Sequence, residues 1–168
     1  RNWQDMMDQM RQEGFNTIRL PFSNQLFDVG SVPNGIDFSL NPDLVGLNGL
    51  EIMDKIVAYA GDIDMRILLD RHRAAAGAGP NASGLWYEGP YSEERWISDW
   101  TSLASRYADQ PAVIGADLHN EPMGPATWGS GEIETDWRLA AERAGNAILA
   151  VNPEWLIVVE GIQFYQDG

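Results

Sequence analysis

Four short apolar runs alternate with four helical stripes along this chain, and that alternation limits its fold more than any other feature. The runs are FNTIRLP (residues 15–21), MRILLD (65–70), VIGADLHNEP (113–122) and WLIVVEG (155–161). Short continuous apolar runs of this kind are what strands buried on both faces of a parallel sheet look like. The stripes are Trp3, Met6, Met7 and Met10; Leu47, Leu50, Met53, Ile56, Val57 and Ala60; Trp96, Trp100, Leu103 and Tyr107; and Trp137, Ala140, Ala141, Ala144, Ile148 and Val151. Each keeps the three- and four-residue spacing that places side chains on one face of a helix. A helix, three strand–helix units and a last strand predict an α/β chain with a parallel sheet, either doubly wound or an arc of a barrel.

Local signals set the bounds of these elements. Gly14 and Gly61 are expected to stop the first two helices, Ser92 to cap the third with Glu93 and Glu94 in its first turn, and Asn152-Pro153 to end the fourth. Residues 22–46 are rich in Asn, Pro, Gly and Ser and read as a long loop, a class that is usually functional or disordered. Residues 74–84 read as a flexible connection, followed by LWYEGPY, which presents Trp86 and Tyr87 to whatever that loop faces. Residues 123–132 make a Gly-rich loop carrying Trp128. Trp96 and Trp100, on a helical stripe, read as core filling.

Polar residues decide between sheet and barrel. A doubly wound sheet collects ligands at one switch point, usually behind a glycine-rich phosphate loop after the first strand, and no such loop is present. Four successive runs instead end in polar side chains: Arg19, then Asp70 and His72, then Asn120 and Glu121, then Glu160. A barrel rim, to which each strand contributes one or two residues, accounts for this. The 168 residues fall short of the roughly 250 of a closed barrel, so the expected fold is a partial (β/α)8 TIM barrel, about half of one. The chain opens on Arg1 inside a helical pattern, with neither Met nor signal peptide, and is expected to be a piece of a longer protein.

Within the third run, Asp117, His119, Asn120 and Glu121 arrive together where a core would want none of them. A carboxylic acid flanked by Asn and His at the carboxyl end of a parallel strand is a candidate general acid/base. Taken alone, Glu121 would read as a turn cap and Arg19 as an ion-pair partner. A formal net charge of −14 repels nucleic acid and anionic membranes and favours a neutral substrate. The absence of cysteine removes disulfides, thiolate metal sites and a cysteine nucleophile. No run reaches the roughly 20 apolar residues of a membrane span.

RLP, DRHR and LHNEP resemble the ends of strands two, three and four of the glycoside hydrolase family 5 endoglucanases. SEERWISDW and DWRLAAERAGNAILAVNP are similar to that family's outer helices. The resemblance runs through nearly the whole chain and implies barrel strands two to five, making residues 1–168 one incomplete catalytic domain. It implies an extracellular, endo-acting, retaining hydrolase of β-1,4-glucan. Glu121 would be the acid/base, Asn120 would bind the sugar 2-hydroxyl, Arg19 would hydrogen-bond the nucleophile, and His72 would line a subsite. Trp86 and Trp128 are candidate substrate-binding residues. The implied partner is a β-glucan polysaccharide or oligosaccharide, with no metal, cofactor or obligate protein partner.

The family's nucleophile, a Glu at the end of strand seven, lies outside this sequence, as do its later His, Tyr and Trp. Retention requires two carboxyl groups roughly 5 to 5.5 Å apart, and the local substitute is Glu160, one strand away at roughly 4.8 Å across the ladder. The leaving oxygen must be protonated, so the acid/base has to be neutral near working pH, and a neighbouring carboxylate is one means of achieving that. Other readings are a family member acting on mannan, xylan or mixed-linkage glucan, and a metal-dependent barrel hydrolase built on His72, His119, Asp70 and Asp117. Two His leave the latter few ligands. A non-catalytic carbohydrate-binding protein would use Trp86 and Trp128, but such modules are usually β-sandwiches, which the helical stripes oppose.

Overall fold

The computed structural model describes residues 1–163; the loop expected to continue through residues 164–168 lies outside them. Four parallel strands, β1 (Thr17–Ser23), β2 (Arg66–Arg73), β3 (Val113–Asp117) and β4 (Leu156–Val158), lie side by side in chain order. Helices α1 (Trp3–Gln12), α2 (Gly49–Asp62), α3 (Glu93–Arg106) and α4 (Trp137–Val151) alternate with them, and two 3-10 turns (Asn24–Phe27 and Pro42–Leu44) punctuate the long β1–α2 loop. A doubly wound sheet reverses its strand order at a switch point. Here the order never reverses, as the barrel arc requires.

Each helix starts where a side chain can take up orphan backbone N–H groups. Asn2 caps α1, Asn48 and Glu51 form a reciprocal capping box on α2, Ser92 caps α3 through the Arg95 N–H, and Asp136 caps α4 through the Leu139 N–H. The expected stop at Gly61 is wrong. Helix α2 runs through it to Asp62, and the left-handed turn comes at Asp64, whose φ is +55°. The α1 stripe is also less buried than its spacing predicts: Met7 is buried, but Met6 and Met10 remain 38% and 40% exposed. Trp3 does pack, edge-on to Tyr59 of α2.

Strand alternation separates two faces. Ile67, Leu69 and Ala116 are fully buried in one core with Leu103, Ala140, Ala144 and Ile148 of the helices. Trp96, Trp100 and Trp137 are fully buried with them, the first two as the helical spacing predicts. Each indole removes roughly 150–250 Å² from water, which at ~25 cal/mol per Å² is on the order of 4 to 6 kcal/mol. Trp86 joins this core, so the expectation that it faces the loop's surroundings is overturned. Its ring has no exposed surface, lies 5.6 Å from the Trp137 ring, and donates its indole N–H to Glu93 Oε2 at 2.6 Å.

The fourth run forms only three residues of strand, which leaves Glu160 two positions beyond the ladder. Strands β3 and β4 approach closely at Gly115, where an added Cβ would stand 2.3 Å from the Leu156 carbonyl oxygen. No helix among the described residues is long and apolar enough to cross a membrane.

Candidate active site

Strand register brings the polar ends level. Pro21 pairs with Asp70, and Asp70 with Asp117, which itself pairs with Val158. Arg19, two residues before Pro21, reaches across all four strands. Its Nη1 lies 2.8 Å from Asp70 Oδ2, its Nε donates to Asp117 Oδ2 at 2.8 Å, and its Nη2 donates to Asn120 Oδ1 at 3.0 Å and to Glu160 Oε1 at 2.7 Å. Asp70 Oδ2 also meets His72 Nδ1 at 2.8 Å.

Three carboxyl groups therefore share one guanidinium, and two of them are buried. Burial pushes Asp117 up to about 6 and outweighs the hydrogen bond from Arg19; the nearby Glu160 charge adds to the rise. Burial raises Asp70 as well, against the pull of His72 and Arg19. For Arg19 the balance is opposite. Burial opposes its charge, but the Asp117 hydrogen bond and the charges of Asp70, Asp117 and Glu160 together hold it above the ordinary arginine value.

Beyond β3 the backbone is pinned residue by residue. The Leu118 N–H donates to the Val158 carbonyl at 3.1 Å, and the Leu118 carbonyl accepts the indole N–H groups of Trp96 at 3.0 Å and Trp100 at 3.2 Å. The Asn120 N–H donates to the Arg71 carbonyl at 3.1 Å. At Glu121 the chain turns into the left-handed region, with φ at +51°, and the Glu121 N–H donates to Glu160 Oε2 at 2.8 Å. A non-glycine residue there stores strain that persists only where its surroundings fix it. The Glu121 side chain is half-buried. Asn120 spends its oxygen on Arg19, while its buried Nδ2 has no partner among the described residues.

The remaining polar residues have different surroundings. His119 is fully buried, with Nδ1 2.8 Å from Arg71 Nη1, and burial together with that guanidinium holds it well below the usual histidine range. Arg71 Nε donates to Asn24 Oδ1, and Asn24 Nδ2 to Asp99 Oδ2, each at 2.7 Å. A metal centre on His72, His119, Asp70 and Asp117 does not fit this arrangement. Among the described residues no three such side chains converge on one point, and Arg19 fills the place where the Asp70 and Asp117 carboxylates meet.

Arg19, His72, Asn120 and Glu121 thus lie in one connected cluster at the strand ends. Trp128 stands apart on its loop, 47% exposed, and Trp86 is removed to the core. Sequence reasoning did not assign Asp70 and Asp117 as partners of Arg19, although both sit at strand ends and register alone would have aligned them. It also missed Trp137, whose indole N–H donates to the Glu160 carbonyl at 2.8 Å; nothing in a helical stripe marks that bond.

Comparison with known proteins places this chain in a family. The profile described as Cellulase (glycosyl hydrolase family 5) matches residues 1–168. An endoglucanase of Paenibacillus polymyxa is 59% identical over 168 residues, covering all of this chain and 42% of the relative. The major extracellular endoglucanase of Xanthomonas campestris pv. campestris is 48% identical over 165 residues, covering 96% of this chain and 33% of the relative. Among solved structures, a cellotetraose complex of an endocellulase from Pyrococcus horikoshii superposes with a TM-score of 0.88 at 48% identity, covering 97% of this chain and 46% of that one. The chain spans less than half the length of each of these proteins. With its parallel arc, its strand-end cluster and a family match from first residue to last, the chain belongs to the cellulases of glycosyl hydrolase family 5.

Proposed function

We propose that this chain supplies the acid/base side of a retaining, endo-acting β-1,4-glucanase, with Glu121 as the general acid/base. The observation that carries the reading is the placement of Glu121: a half-exposed carboxyl at a barrel strand end, on a strained and anchored backbone, beside an Asn whose amide is aimed by Arg19. In the first step the Glu121 proton passes to the glycosidic oxygen as that bond breaks, while a carboxylate outside these 168 residues forms the glycosyl–enzyme bond. In the second, Glu121 takes a proton from water as the water oxygen bonds the anomeric carbon and releases the enzyme carboxylate. The unpartnered Asn120 Nδ2 is a donor for the sugar 2-hydroxyl, Arg19 orients the cluster, His72 lines a subsite, and Trp128 offers an exposed ring to a sugar face.

The substrate class is a cello-oligosaccharide or β-glucan chain, supported by the cellotetraose complex of the Pyrococcus relative. Secretion is supported by the Xanthomonas relative, named as an extracellular endoglucanase. The test is Glu121→Gln in the full-length protein. Hydrolysis of unactivated glucan should fall by about 100-fold or more, the scale of general acid catalysis, while the first step on a dinitrophenyl glycoside, which needs no protonation, is spared. Equal loss of the first step, read as kcat/KM, on both substrates would remove Glu121 from the role.

A further inference from the structure

We infer that Glu160 is a positioning residue whose carboxylate holds Glu121 in the backbone conformation from which the acid/base works. The inference rests on the assignment of Glu121 as acid/base and adds a residue that acts through it. Glu121 sits at a φ of +51°, which an L-residue other than Gly, Asn or Asp rarely adopts. Its N–H has one partner among the described residues, Glu160 Oε2 at 2.8 Å. The other oxygen of Glu160 accepts from Arg19 Nη2 at 2.7 Å, and the Glu160 carbonyl accepts from the Trp137 indole at 2.8 Å.

Glu160 is thereby fixed at both ends. Its backbone is tied to α4 and its head to the guanidinium that also orients Asn120. A carboxylate suits this place because it accepts from two donors at once, whereas a carboxamide accepts with one oxygen and turns an NH2 toward the other donor.

The experiment compares Glu160→Gln and Glu160→Asp in the full-length protein, with Glu121→Gln as reference. It measures kcat and KM on cellotetraose, which needs protonation of its leaving group, and on 2,4-dinitrophenyl cellobioside, which does not. Loss of positioning should lower kcat on cellotetraose about 100-fold, the scale of a 1 Å misplacement of a catalytic group, with KM little changed, while kcat/KM on the aryl glycoside, which reports the first step alone, is largely spared. Equal loss of kcat/KM on both substrates, or azide-restored turnover in Glu160→Ala that yields the α-glycosyl azide, would make Glu160 the nucleophile and overturn the inference. Unchanged kcat on both would overturn it too. Should Glu160→Gln fail to fold, Glu160→Asp decides, because it keeps the charge but withdraws the carboxylate by one methylene; wild-type discrimination in a folded Asp variant refutes the role. If Glu121→Gln shows discrimination and the Glu160 variants do not, only the positioning role falls. If Glu121→Gln shows none, the acid/base assignment falls and takes the inference with it.

Discussion

At the scale of single residues, Arg19 concentrates more of the site's electrostatics than any other side chain. Removing it in Arg19→Ala takes away the guanidinium that the Asp70 and Asp117 carboxyls share, leaving His72 beside Asp70 and nothing charged in its place beside Asp117. Breaking a fully buried pair costs ~3–5 kcal/mol; because the Arg19 side chain is 39% exposed, a loss of about 2 kcal/mol is expected after discounting for solvent screening, read from the denaturant midpoint. Asp117 adds a pH dependence of definite sign. Its folded pKa, about 6, lies above the ordinary 3.8, so the folded state binds the extra proton between those values. The Asp117 contribution to stability should be fullest below about pH 4 and be lost as pH rises through about 6. Asp117→Asn should flatten part of that decline and leave the share due to Asp70, which is raised in the same direction; an unchanged slope in melts from pH 4 to 7 would refute the assignment. The strand-end residues were legible in the sequence as residues, but their bonding was not. Arg19 finds its partners by register, and Trp86 goes to the core because a ring's direction in an irregular loop is set by the neighbours that happen to pack on it.

Helices and strands were legible where periodicity ran long, as in α2, α3 and α4, and misjudged where one residue was asked to mark a boundary. Gly61 shows why: it looks like a stop, but the Asn48–Glu51 capping box and the buried Met53, Val57 and Ala60 carry α2 past it. A Cβ there would meet Ala112 Cβ at 3.7 Å, an ordinary contact. Gly61→Ala should therefore stabilise the protein by about 0.5–1 kcal/mol through helix propensity and reduced unfolded-state freedom, measured as a rise in Tm. Gly115→Ala should do the opposite. Its Cβ would collide with the Leu156 backbone, where only a shift of β4 gives relief, so a loss of about 1–3 kcal/mol is expected from overpacking, together with faster amide exchange in residues 156–158.

For the molecule as a whole, the alternation of runs and stripes was enough to predict a parallel sheet, because right-handed strand–helix units leave few ways to stack, and the polar strand ends chose the arc over the doubly wound sheet. Among the described residues, β1 and β4 each pair on one side only, and Leu156 at 60% and Phe15 at 61% exposure stand beside those edges. Open edges and apolar surface of this kind favour association. Residues 1–168 expressed alone should sediment as oligomers or aggregate; a monomer with a sharp melt would refute this. The reach of Arg19 also fixes an order of events in time. Its bonds to Asp117, Asn120 and Glu160 join residues 98, 101 and 141 positions apart, and contacts so distant in sequence form only after the intervening chain has been gathered in. In refolding from denaturant, helical circular dichroism should return first. The pH dependence that Arg19 and Asp117 create should appear last, so the site is assembled by the finished fold and cannot serve as its nucleus.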